Sequence, residues 1–502
     1  MEINNKYFKI GNNNDLKVRA VQGGFVTGIA QIAKFILNIG STIVLARLLT
    51  PIDYGLIGMV SAVIGFLALF KDMGLSMATI QQRELEQKQV SMLFWINVGI
   101  SLVIMLITIM ISIAIAKFYK EPRLVAITIA LAFAFIFSGI TVQHQALLHR
   151  MMKFSALAII EVVSILLSII VAIILALYGA QYWALVCMQL TLAMSNAIGV
   201  WIACEWRPGR PVMNANIRSM LNFGGNLTGS NILHYLGRNM DNVLIGRAWG
   251  SQQLGIYTKA YQLLLLPIQQ VNTPITNVAI PTLSSLQNDQ ARFRHYYCTA
   301  LNLIAYITCP LILGLAALSD EIIYIILGDQ WKGAGKIFKI LAFAALFQPL
   351  LNTVGWIYIS LGQTDRIFKW SLVTVPANIA IFFIGLPWGA YGVAVSYTMY
   401  YVFMVIPNLM YAYAQSPITL KDAVRSVWRP LTISLFIFIS IMYGKFIFNG
   451  FSEIFVVILS IMISLIVFTV SIMAWPKAKN ETIELIDAIK HIRFKKHSTI
   501  QA

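Results

Sequence analysis

Residues 22–46 read QGGFVTGIAQIAKFILNIGSTIVLA and residues 222–247 read NFGGNLTGSNILHYLGRNMDNVLIGR. The two stretches match at a constant offset of 200: Gly24 with Gly224, Arg47 with Arg247 and, just beyond, Gly55 with Gly255. Polar positions match in kind, Gln31 with Asn231, Lys34 with His234, Asn38 with Arg238 and Ser41 with Asp241. Each stretch is long enough to cross a bilayer, which takes about 20 mostly apolar residues. Residues three and four apart share one helical face, so each copy carries a polar stripe through its middle.

The rest of the chain extends this reading. Of its 502 residues 58% are hydrophobic and 11% are charged, against about 25% charged in a soluble domain. A water-soluble core cannot absorb that much apolar surface, so lipid is the solvent. The residues before the first run are polar and basic and no small-residue cleavage site follows it, so the first helix is expected to be retained. Cys187, Cys204, Cys298 and Cys309 are scattered, in no metal or redox spacing. The net charge of +17 resides in short loops between apolar runs, which points to topology and away from nucleic acid.

Apolar runs predict an all-α polytopic membrane protein of about 14 transmembrane helices, at roughly 22–46, 55–77, 91–116, 124–145, 156–178, 182–204, 222–247, 254–282, 298–318, 337–361, 368–387, 390–413, 428–448 and 453–475. Six spans, an even number, separate the matched helices, so the halves share one orientation about an axis along the membrane normal. Two six-helix lobes related by a pseudo-two-fold repeat follow, 22–204 and 222–413, with two extra C-terminal helices in 414–475. Lys and Arg concentrate in alternate connections, which the positive-inside rule reads as a cytoplasmic N-terminal segment 1–21, a cytoplasmic linker 205–221 and a cytoplasmic tail 476–502. Arg47, Lys117, Lys120, Arg123, Arg247, Lys259, Lys332, Lys336, Lys339 and Lys445 fall at or near the other face. Within the tail, Glu481 to Lys496 has the pattern of a basic amphipathic helix lying on anionic lipid.

A cation at the centre of a membrane helix costs about 2.5–3.5 kcal/mol on insertion scales, so Lys34 and Arg238 are expected to face water or a partner. Gln31, Asn38, Asn231, His234 and Asp241 complete the two stripes as cavity candidates. Arg238 and Asp241, three apart, could instead simply pair. Arg47 and Arg247 stand at the outer ends of their spans, as site residues or as snorkelling anchors. Glu161 is either interfacial or a coupling carboxylate, a role Asp241 could share. Pro267, Pro274, Pro281 and Pro376 lie inside apolar runs, where proline bends helices. No phosphate loop, paired zinc ligands or nucleophile elbow appears, and no large connection exists to host catalysis. No catalytic residue, cofactor or metal is expected.

Several motifs carry a resemblance: Ala46-Arg47-Leu48-Leu49-Thr50-Pro51 with Asp53-Tyr54-Gly55; Asp72-Met73-Gly74-Leu75-Ser76; Phe94-Trp95-Ile96-Asn97; and Arg238-Asn239-Met240-Asp241-Asn242 continuing to Leu254-Gly255-Ile256-Tyr257. Through most of spans 1–8 the chain resembles the polysaccharide exporters of the lipopolysaccharide and colanic-acid type, within the multidrug/oligosaccharidyl-lipid/polysaccharide exporter superfamily. The resemblance implies alternating access in the bacterial inner membrane and a flippase moving a polyprenyl-diphosphate oligosaccharide for surface polysaccharide biosynthesis. The resemblance carries over no coupling ion; a proton or sodium ion and polysaccharide assembly proteins stand as further candidate partners. The alternatives are a multidrug or cation antiporter of the same superfamily, which would want acidic cavity residues, and a membrane glycosyltransferase or polymerase, which would want an external domain.

Overall fold

A chain dissolved in lipid must satisfy its backbone internally, and a helix does so within one segment. The computed structural model describes residues 13–71, 74–82, 85–211, 218–448 and 450–481, and every regular element among them is helical. Among the described residues 11 helices are long and apolar enough to cross a membrane. One of these, Asp365–Tyr413, covers two expected spans. The expected seventh and eighth lie in the more polar helix Arg218–Ser285. The arrangement is compatible with fourteen passes. The amphipathic tail beyond Glu481 lies outside the described residues, as do residues 1–12, Asp72 and Arg83.

Packing divides the chain into two compact units, Met1–Gly255 and Ile256–Ala502. It thus groups residues up to Gly255 with the first unit, whereas the sequence repeat begins its second half at 222. The first unit contains α1 (Asn13–Leu48), α2 (Pro51–Ala68), α3 (Leu75–Gln81), α4 (Gln87–Tyr119), α5 (Leu124–Ala132), α6 (Ala134–Arg150), α7 (Phe154–Leu177) and α8 (Tyr182–Ala203). The start of α9 (Arg218–Ser285) belongs to it as well. Helix α1 packs along α7, α7 along α8, and α4 against α5 and α6. The break in α9 falls at Gly250 (φ 79°, ψ −175°), while Pro267, Pro274 and Pro281 stay within helix. Only glycine takes that backbone conformation freely, so the sharpest bend in α9 belongs to glycine and not to the prolines the sequence singled out.

The junction of α1 and α2 explains one of the motifs. Thr50 caps α2 and Asp53 closes a reciprocal box, its Oδ2 accepting from Thr50 N at 2.8 Å and Thr50 Oγ1 at 2.7 Å, with Pro51 in the first turn. Two turns are thereby fixed where α1 must stop and α2 begin. Asp53→Ala should destabilise the protein by about 1 kcal/mol, read as a lowered melting temperature in detergent; an unchanged melting curve would show the cap to be idle.

Just past the cap, a Cβ built on Gly55 would stand 1.7 Å from the carbonyl oxygen of Ser251, and one on Gly255 would stand 1.8 Å from that of Pro51. Pro51 and Ser251 are themselves repeat equivalents, so the contact is reciprocal. One turn pair further in, Tyr235 of α9 lodges over Gly65 of α2 and donates its hydroxyl to the Ala62 carbonyl at 2.9 Å.

The second unit holds the remainder of α9 with α10 (Gln290–Ala317), α11 (Ser319–Leu327), α12 (Lys332–Ala345), α13 (Gln348–Ser360), α14 (Thr364–Gly385), α15 (Gly389–Tyr413), α16 (Leu420–Ile447) and α17 (Glu453–Ala474). Its core gathers Phe293, Tyr297, Trp356 and Ile357, with Tyr297 bonded to Thr353 at 2.8 Å. The expected appended pair, α16 and α17, is firmly attached: α16 runs along α10. Arg294 pairs with Asp422 at 2.6 Å, Lys445 with Glu321 at 2.6 Å, and Arg429 with Glu481.

Candidate functional site

The polar stripe of α1 places Lys34 where α7 crosses it. Lys34 Nζ meets Glu161 Oε2 at 2.9 Å, with the lysine side chain 17% exposed and the carboxylate 50% exposed. Lys34 is the one charged residue between Arg19 and Arg47 of α1 and Glu161 the one charged residue of α7, and a charge in lipid is tolerated when it is paired or faces water. Here the cation is mostly enclosed and the anion half open. Neither sequence spacing nor composition signals this partnership, since the residues lie 127 apart.

The other stripe members divide into exposed and buried. Gln31 and Asn38 are exposed on α1, as are His234 and Arg238 on α9. At the fourth matched position both copies turn inward: Ser41 is buried and donates to the Asn38 carbonyl at 3.0 Å, and Asp241 is buried with Oδ1 accepting from Asn242 N at 2.8 Å. Among the described residues no carboxylate pairs with Arg238, so the expected alternative of an Arg238–Asp241 pair is not realised. The side chain of Asn231 lies outside the described residues. Arg47 and Arg247 are exposed at the ends of α1 and of the first half of α9, and the Arg247 guanidinium covers Phe118 at 5.7 Å.

Lys259, expected near the outer face within span 254–282, is buried within α9, where Nζ donates to Gln262 Oε1 at 3.1 Å.

This architecture, with exposed charges inside helices otherwise built for lipid, defines a multi-pass membrane protein. The model of the family described as polysaccharide biosynthesis protein matches residues 44–336, and this chain belongs to that family. It is 29% identical over 307 residues to teichuronic acid biosynthesis protein TuaB of Bacillus subtilis (strain 168), a match covering 61% of this chain and 64% of that protein. It is 24% identical to lipopolysaccharide biosynthesis protein WzxC of Escherichia coli (strain K12), across 84% of this chain and 86% of that one. The fold matches that of the lipid II flippase MurJ in its inward closed conformation, with a TM-score of 0.73 at 15% identity, over 89% of this chain and 98% of that one.

Proposed function

We propose that this chain flips a lipid-linked oligosaccharide, carried on a polyprenyl diphosphate, across the bacterial inner membrane by alternating access, for surface polysaccharide biosynthesis. Family membership and the names of its relatives support the substrate class. The basic connections support an orientation with both termini cytoplasmic, and the repeat supports lobes at 22–204 and 222–413.

The observation that carries the mechanism is the Lys34–Glu161 pair. A diphosphate offers more charge and more acceptors than one carboxylate, so it displaces Glu161 from Lys34. The released carboxylate, already half open, then binds the coupling ion, proton or sodium; Asp241 is the second candidate for that role. Arg238, exposed and with no carboxylate paired to it among the described residues, takes the other side of the anion, while Gln31, Asn38, Asn231 and His234 meet sugar hydroxyls. Arg47 and Arg247 flank the ends of the path. Polysaccharide assembly proteins would supply the substrate or receive it.

Flipping of lipid-linked oligosaccharide, measured in vesicles beside membrane expression, tests the reading. A charge-assisted contact contributes about 1.5–3 kcal/mol, so Lys34→Gln should slow flipping about tenfold or more while Lys34→Arg retains most of it. Full flipping by a well-expressed Lys34→Ala, Arg238→Ala protein would place head-group recognition elsewhere.

A further inference from the structure

Helix α8 carries a ridge of two exposed isoleucines, Ile198 and Ile202, and an apolar groove runs along each side of it. The groove towards α7 encloses about 530 Å³ and is walled by Ile159, Val163 and Leu167. The groove towards α6 encloses about 320 Å³ and is walled by Phe137, Ile140 and Trp201. Ile198 and Ile202 line both.

The second groove is apolar except for Arg207, which follows the end of α8. Its guanidinium lies over the Trp201 ring at 5.4 Å, and Nη1 donates to the carbonyls of Cys204 at 2.8 Å and Trp206 at 2.9 Å. Trp201 is itself fixed, stacked on His144 at 4.4 Å and donating its indole N–H to the Ile140 carbonyl at 3.0 Å. The cation is therefore held in place before any ligand arrives. Among the described residues nothing accepts from its Nε or Nη2.

A hydrocarbon groove on a membrane helix takes a hydrocarbon chain. A fixed guanidinium at its mouth selects an anion, and the forked donors match phosphate. Two grooves separated by one ridge suit a molecule with two chains. We propose that α8 and Arg207 form a binding site for a two-chain anionic phospholipid, its phosphate on Arg207 and one acyl chain on each side of Ile198 and Ile202. In the orientation given above it belongs to the cytoplasmic leaflet. The site is independent of the transport path, although α7, which walls one groove, also bears Glu161.

Native mass spectrometry of the purified full chain, titrated with dioleoyl phosphatidylglycerol and separately with dioleoyl phosphatidylcholine, tests the site. One arginine near a lipid surface favours an anionic head group by about fivefold, and that preference should vanish in Arg207→Gln and persist in Arg207→Lys. Should Arg207→Gln not fold, Ile198→Trp gives a second reading: it fills both grooves from an exposed position and should reduce uptake of both lipids. Equal affinity of the unaltered chain for the two lipids, a preference retained in Arg207→Gln, or undiminished uptake in Ile198→Trp would overturn the proposal. Displacement of bound phosphatidylglycerol by a polyprenyl diphosphate would also overturn it, by assigning the groove to a single-chain lipid.

Discussion

Gly55→Ala and Gly255→Ala should each destabilise the protein by more than about 3 kcal/mol, beyond the upper end of ordinary overpacking. The added atom is the methyl carbon itself, and it would sit 1.7 Å from the Ser251 oxygen in one case and 1.8 Å from the Pro51 oxygen in the other. Both obstacles are backbone, so no rotamer change relieves them. Moving the Pro51 carbonyl would also disturb the first turn of α2, which the Thr50–Asp53 box fixes. Helical propensity runs the other way, favouring Ala over Gly by about 1 kcal/mol, which makes Gly99→Ala in α4 the right control: a Cβ there meets nothing within 4 Å. Melting in detergent, followed by size-exclusion monodispersity, should separate Gly99→Ala, unchanged or stabilised, from the two others. If Gly55→Ala melts with Gly99→Ala, the close approach carries no weight.

The same pair of glycines shows how much could be read in advance. Their offset of 200 in the sequence marked them as equivalents, but equivalence says nothing of contact, and only packing brings each against the other's neighbour. The spans were legible because lipid imposes length and apolarity on every crossing segment. The passes in Arg218–Ser285 carry the weakest form of that signal, since their polar residues dilute it.

The candidate site was legible as a set of positions and illegible as a set of partners. Lys34 stood out as a mid-span cation and Glu161 as an interfacial or coupling carboxylate, yet 127 residues separate them and no periodicity joins helices that meet only in the fold. For Arg238 and Asp241 the spacing left a local pair open, and in the fold the carboxylate is buried while the guanidinium is exposed.

Arg429→Ala should cost about 3–5 kcal/mol, the range for breaking a buried ion pair by removing one partner. The arginine side chain is 7% exposed and its Glu481 partner 25% exposed. Glu481 additionally accepts from the Tyr306 hydroxyl at 3.1 Å, while Trp428 packs edge-on against Trp475 at 5.0 Å. The chain leaving α17 is thereby tied to α16 and α10 at one point. Glu481→Gln should cost less than Arg429→Ala, because the amide oxygen still accepts from Arg429 and Tyr306 and no side-chain volume is lost. Replacing both charges, Arg429→Met with Glu481→Met, should recover much of the loss, since two well-packed apolar groups are often no worse than a buried pair. Melting temperatures of Arg429→Met, Glu481→Met and the double variant close a cycle. Residues in one network couple by about 0.5–3 kcal/mol, so strict additivity of the single effects would mean that the two charges stabilise the protein separately and that nothing is gained by their meeting.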